Sequence, residues 1–390
     1  MQSFIYLKRI SNCKIMIAQS FVSTGISALD TQLSENINDF FQPNLAFVFS
    51  SVEMDIEKVR KVFEKHDIEV FGVSTCGEIF FNGQNEGIYQ NSVTYSLVQM
   101  NPKVFAGNLF SGVNINSHQL GVQIGTWGNQ QFAKPSFLVS ISGLTANGQE
   151  IVEGIQEVCG EEATIFGGLA GDDARFEETF VFNQRSLSNY GAVVVALDSD
   201  AITMTGLATS GWIGIGSDKI ITKASGNLVY TIDDEPALKV YKDHLNIRDE
   251  DLPEIGVEYP LLIKKEGREI LRAVIGIDRE QQSLIFAGTV PEGAVVTFST
   301  SPGFEVVDHT RSDIIDFFND DKKAMLLLLF SCMARHIALG PIIIDEIREI
   351  YENTGTPITG FFTYGEIGNN RNMSCEFYNE TCTLAVISEQ

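Results

Sequence analysis

The sequence predicts an α/β fold with mixed sheets, and three observations carry that prediction. One short phrase recurs: Phe71-Gly72-Val73-Ser74-Thr75-Cys76-Gly77-Glu78 returns as Gly360-Phe361-Phe362-Thr363-Tyr364-Gly365-Glu366, with a looser copy at Phe166-Gly167-Gly168-Leu169-Ala170-Gly171-Asp172-Asp173. Each copy closes a run of β-prone strand, amphipathic helix and second β-prone strand, and each is followed by a further β-rich segment. The distances from the strand-end serine to the first phrase glycine are 22 (Ser50 to Gly72), 25 (Ser142 to Gly167) and 29 (Ser331 to Gly360) residues, which suits a βαβ crossover. Repeated βαβ-type units with helices packed on mixed sheets, grouped into two related modules, follow from this pattern.

The elements can be read in order. Ala46 to Ser51 is the first strand, and a helix from about Asp55 to Lys65 places Ile56, Val59 and Phe63 on one face. Val70-Phe71 then leads into the first phrase, and Val93 to Val98 is the strand that follows it. In the second copy Phe137 to Gly143 is the strand, Ile151, Ile155 and Val158 form the helical stripe, and Ala192 to Leu197 follows the phrase. In the third, Leu327 to Cys332 is the strand, Pro341 suits a first helical turn, and Ile343, Ile347 and Ile350 form the stripe. Thr383 to Ile387 closes the chain. Between the second and third copies, Gly211 to Gly216 breaks the pattern, Ile220 to Tyr230 reads as a strand-hairpin-strand, and the acidic Asp233-Asp234-Glu235 opens a helix. A domain boundary is expected near residues 215–225. Pro302-Gly303 marks a turn before a helix expected to start between Asp308 and Arg311.

At 390 residues and 44% hydrophobic content the chain suits two domains with full cores. Lys and Arg total 27 against 51 Asp and Glu, a formal net charge of −24. Such a surface repels nucleic-acid phosphates and anionic lipid, so neither is an expected partner. The longest apolar run, Ala324 to Phe330, is too short to span a bilayer. The first 21 residues carry Lys8, Arg9 and Lys14 with polar interruptions and make a poor secretory signal; Met16 reads as an alternative start. Six cysteines without a CxxC pair point to free thiols in a reducing cytoplasm.

Candidate chemistry collects at the phrase ends. Glu78, Asp172 and Glu366 stand where strands end, the usual place for a ligand crevice in α/β sheets, and could hold an ammonium group. The alternative is that each accepts hydrogen bonds within its own turn. In the second copy either the loop is one residue shorter or Asp173 is the counterpart of Glu78. Arg335, read as standing at a strand's end, could fork onto a ligand carboxylate or pair with Glu366 or Glu346. Cys332, with His336 four residues on, is either a nucleophile or a packed thiol, and no oriented base is visible. The five histidines lack metal-ligand spacing, and no GxGxxG opens a helix, so neither a metal nor a nucleotide cofactor is expected. Trp212 is read as core or as the wall of an inter-domain cleft. Asn379 and Thr381 precede the last strand as turn residues or ligand contacts.

These phrases resemble the FIST family of sensory domains. The resemblance rests on Phe71-Gly72 with Gly77-Glu78, on Ser142-Gly143-Leu144 and on Phe166 to Asp172. Its most specific part is Phe330-Ser331-Cys332-Met333-Ala334-Arg335, then Glu346, Gly360 to Gly368, and Tyr378-Asn379-Glu380-Thr381. It implies an N-terminal extension over residues 1–20, a FIST N-terminal module over 21–220 and a C-terminal module over 221–390. It further implies a bacterial, cytoplasmic signal-input protein, not an enzyme. Such a protein binds a small polar ligand, an amino acid among the candidates, and signals to a separate partner protein. The ligand contacts expected from the glycine-acid loops and their surroundings are Thr75, Glu78, Asp172, Asp173, Arg335, Thr363, Tyr364, Glu366 and Asn379. The alternatives are a hydrolase or transferase using Cys332 or the loop acids, and a non-catalytic interaction scaffold such as the F-box relatives suggest.

Overall fold

Three sheets repeat one strand order, and each borrows its last two strands from another part of the chain. In the first sheet Ile17–Ser23, Val93–Gln99, Leu45–Ser50 and Glu69–Ser74 lie side by side, followed by the hairpin Val181–Phe182 and Leu187–Ser188. The second runs Phe105–Phe110, Ala192–Asp198, Pro135–Ile141 and Ile165–Leu169, then Glu366–Asn369 and Cys375–Tyr378. The third runs Ile202–Thr209, Cys382–Glu389, Leu326–Cys332 and Ile358–Thr363, then Glu78–Phe81 and Glu86–Tyr89. In every case the third and fourth strands are the parallel pair of a βαβ crossover, and the other neighbours are antiparallel. The hairpin after the first phrase therefore joins the third unit's sheet, that of the third joins the second, and that of the second joins the first. The exchange closes a ring of three units. The computed structural model describes residues 16–112, 115–252, 254–265, 268–318, 324–369 and 374–390. Residues 1–15, with Lys8, Arg9 and Lys14, lie outside them.

Period-two alternation along the strands sets the core. Phe47, Phe49, Phe71, Leu138, Phe166, Leu328, Phe330 and Phe361 come from all three sheets and pack into one central cluster. Residues on the opposite faces meet helices. Ala46 and Val48 pack with Leu29, Val59 and Phe63; Phe137 and Val139 with Ile124 and Ile151; Leu327 and Leu329 with Ile314, Ile343 and Ile347. The crossover helices of the first two units start where a side chain can take an orphan N–H. Asp55 accepts from Lys58 N at 3.0 Å, and Asn147 accepts from Gln149 N and Glu150 N. Gly355, at φ 63, closes the helix Ile342–Thr354 in the left-handed conformation.

The first glycine of each phrase is set by close approach. A Cβ at Gly360 would lie 2.2 Å from the Leu329 carbonyl oxygen, and one at Gly167 would lie 1.8 Å from that of Val139. Each faces its partner across the parallel pair.

A fourth sheet is inserted into the third unit, between Thr209 and the helix Glu305–Phe318. Its long strand Ile213–Ser225 runs through the expected boundary region, and the helix Ala237–Leu245 packs on it through Leu238 and Tyr241. The fold class is the expected one: among the described residues there are eight α-helices on mixed sheets. Strands from both sides of residue 220 share the second and third sheets. Two local readings change. The helix expected from Asp308–Arg311 begins at Glu305, and Arg335 stands not at a strand end but in a short helix, Met333–Leu339. Among the described residues no helix is long and apolar enough to cross a membrane.

Candidate ligand-binding cavity

The three phrases converge. Gly171 N and Asp173 N donate to Ser74 O and Thr75 O, Cys76 N donates to Phe362 O, and Leu169 N donates to Gly365 O. The Ser74 hydroxyl adds a 2.6 Å bond to Gly171 O. Their acids do not share a site. Thr75 donates its hydroxyl to Glu78 and Ser92 donates to the other carboxyl oxygen at 2.5 Å. The third copy repeats this: Thr363 donates to Glu366, and Thr381 to its other oxygen at 2.8 Å. Burial pushes both carboxyls up to about 8, against the pull of those hydroxyls.

The second copy lacks the arrangement. Glu78 pairs with Phe361, Glu366 with Gly168 and Val181 with Val73, which makes Val181 the counterpart of the two glutamates. Neither Asp172 nor Asp173 holds that position, because the second loop is longer. Asp172 instead ties its own turn, accepting from the N–H groups of Phe176, Glu177 and Glu178 at 3.0, 2.7 and 3.0 Å and from the Tyr364 hydroxyl. Asp173 accepts from Ser51 Oγ at 2.8 Å and Val52 N at 3.2 Å; burial holds its carboxyl above the usual range.

Arg335 is fully buried and pairs with Glu346, one of the partners the sequence offered. Its Nη1 also donates to Ser210 O at 2.5 Å and Glu380 O at 3.2 Å, and the guanidinium lies 4.8 Å from the centre of the Trp212 ring. Burial pulls its pKa down, but the Glu346 pair outweighs this and holds it above the ordinary value.

A cavity of about 680 Å³ opens beside this network. It lies at the carboxyl ends of the parallel strands of the second and third units, where Leu169, Cys332 and Thr363 stand. The loop from Gly143 to Gly148 forms one wall, and Asn227, Ala273, Ile275, Phe286 and Gly288 of the fourth sheet form the opposite one. Leu144, Phe176, Ile275 and Ile337 all line it although each is exposed, which gives the cavity an apolar rim. Tyr364 stacks on Phe176 with ring centroids 4.9 Å apart. No lysine, arginine, aspartate or glutamate is among the described residues that line it.

Of the residues singled out from sequence, Thr363, Tyr364 and Asn379 line this cavity. Asp172 stands behind it through Tyr364. Thr75, Glu78, Asp173, Arg335 and Glu366 are not among the lining residues. Sequence reasoning missed the fourth-sheet wall, which carries no motif. It also passed over Glu380, although that residue lies within the closing phrase.

The fold and cavity define a class of α/β protein: repeated crossover units that exchange hairpins, with a pocket where the strands end. This chain belongs to the FIST family. The FIST N domain matches residues 44–235 and the FIST C domain residues 237–369. FIST domains are sensory domains of signal transduction, and a general sensory role follows. No curated protein matches the chain.

Proposed function

We propose that this protein is a cytoplasmic sensor that binds a small molecule in the cavity and passes the signal to a separate partner protein. The observation that supports this reading is the apolar-rimmed cavity between the ring of three units and the inserted sheet. A ligand that touches both walls binds most tightly when they are closed on it, and only such a difference in affinity shifts a conformational equilibrium. The lining favours a ligand with an apolar body and a hydrogen-bonding end near Thr363, Tyr364 and Asn379. A zwitterionic amino acid fits less well, because its carboxylate would meet no cation on the lining and Arg335 is committed to Glu346.

A non-catalytic role is part of the proposal. Cys332 lines the cavity, but burial and the neighbouring charges of Glu366 and Glu380 hold its thiol well above the ordinary range. His336 stacks on Phe362 at 4.2 Å. The free cysteines among the described residues suit a reducing compartment.

The test is a thermal-shift screen of small metabolites at millimolar concentration. A ligand at 100 times its Kd should add about 2.7 kcal/mol of stability. The rim variants Leu144→Arg and Ile337→Arg should abolish that shift. No stabilisation by any compound of a broad panel would overturn the reading.

A further inference from the structure

We propose that the cavity takes a small primary amine with a hydrocarbon body, its ammonium seated against the Asn379 amide oxygen and attracted by the buried Glu380 carboxyl behind it. This rests on the ligand-sensing reading of the same cavity and names the class of ligand.

Two unpartnered groups carry the inference, Asn379 on the cavity lining and Glu380 behind that lining, close to Cys332. Asn379 lines it with only 1% of its surface exposed, spends its amide N–H on Tyr378 O at 3.0 Å, and leaves Oδ1 without a partner. The next residue, Glu380, is fully buried, and neither of its carboxyl oxygens has a partner. Buried polar groups are rarely left this way.

The repeat supplies an internal comparison. Tyr89 pairs with Glu78 as Tyr378 pairs with Glu366, so two residues further on Asn91 is the counterpart of Glu380. Both have left-handed backbones, at φ 52 and φ 55. Asn91 is exposed and of a type that tolerates this conformation. The third unit places a glutamate there instead and buries it, against both backbone preference and solvation. Departures of this kind gather at functional sites.

The chemistry of the missing partner follows from what is present. Asn379 Oδ1 and the Glu380 carboxyl call for a hydrogen donor, and an ammonium donates three hydrogens. The nearby cation, Arg335, bonds the Glu346 side chain and reaches Glu380 only at its backbone oxygen. Glu366, Cys332 and Tyr241 also lie close to Glu380, and none of these three is a cation. A carboxylate ligand would face two buried acids. Leu144, Phe176, Ile275 and Ile337 provide the surface for the hydrocarbon.

The experiment compares n-hexylamine, n-hexanol and hexanoate by calorimetric titration of the full chain at pH 7. Hexylamine is expected to bind at least tenfold more tightly than hexanol, and hexanoate not to bind. In Glu380→Gln the preference for hexylamine over hexanol should fall at least tenfold while hexanol affinity is kept. Circular dichroism checks the fold; should that variant not fold, Asn379→Leu serves instead and should also weaken hexylamine at least tenfold. Equal binding of hexylamine and hexanol to the wild type, or an amine preference that survives in the variant, overturns the amine assignment and leaves the cavity reading standing. Binding of none of the three, with no compound stabilising the protein in the metabolite panel, overturns both.

Discussion

Arg335 and Glu346 form an ion pair in which neither side chain has any exposure to solvent. The helices Met333–Leu339 and Ile342–Thr354 meet through it, and Thr310 adds a 2.7 Å bond from the helix Glu305–Phe318 to Glu346 Oε1. Such a pair is weak proof of net stability, because both ions lose their hydration, but removing one member strands the other. Arg335→Met or Glu346→Leu should therefore each cost about 3–5 kcal/mol in urea unfolding. The double variant should cost clearly less than the sum, though not nothing, since Ser210 O and Glu380 O lose a donor. Additive losses would mean that the two residues are not coupled.

Glu78 and Glu366 make an opposite demand on pH from that of ordinary surface acids. Their folded values of about 8 lie above the usual 4.5, so the folded protein holds these protons more tightly than the unfolded chain does. Each contributes stability that is complete below about pH 4.5 and is lost as pH rises through about 8, with a slope of about 1.4 kcal/mol per pH unit per carboxyl between those limits. Glu366→Gln and Glu78→Gln should gain on the wild type as pH increases from 5.5 to 8.5. Parallel stability curves for variant and wild type over that range would show that the carboxyls titrate normally.

Gly360 is fixed by the strand beside it rather than by a ligand. With its prospective Cβ 2.2 Å from the Leu329 carbonyl, Gly360→Ala must push apart the parallel pair at the centre of the third sheet. A loss of about 1–3 kcal/mol is expected from overpacking alone, measurable as a lowered Tm. An alanine tolerated without loss would show that the pair can separate freely.

The repeated unit was legible because its signals are local. Strand periodicity, helical stripes such as Ile343, Ile347 and Ile350, and the glycine of each phrase all lie within one stretch of chain. The hairpin exchange was not legible, since Glu78–Phe81 pairs with a strand that begins at Ile358 and nothing near Glu78 specifies that partner. For the same reason the counterpart of Glu78 was sought at Asp172 or Asp173, whereas register places Val181 there. At the cavity, Thr363, Tyr364 and Asn379 came from the glycine phrase and the closing turn. The opposite wall comes from an insertion whose Ala273, Ile275 and Phe286 look in sequence like any strand residues.

Cys332 tests whether the cavity holds a reactive group. The thiolate, not the thiol, is the nucleophile, and a buried cysteine without a cation beside it stays protonated. Here burial acts first and the charges of Glu366 and Glu380 act in the same direction, while backbone N–H groups of Arg335 and Glu380 oppose them only in part. His336, the nearest candidate base in sequence, is itself held below its ordinary value by burial and packs flat on Phe362. Iodoacetamide at pH 7 should therefore label Cys332 at least about 100-fold more slowly than a free thiol, with the rate rising in urea as the chain opens. Labelling at pH 6 that outpaces a free thiol would require a thiolate and a base in this cavity. It would move the protein from sensor to enzyme.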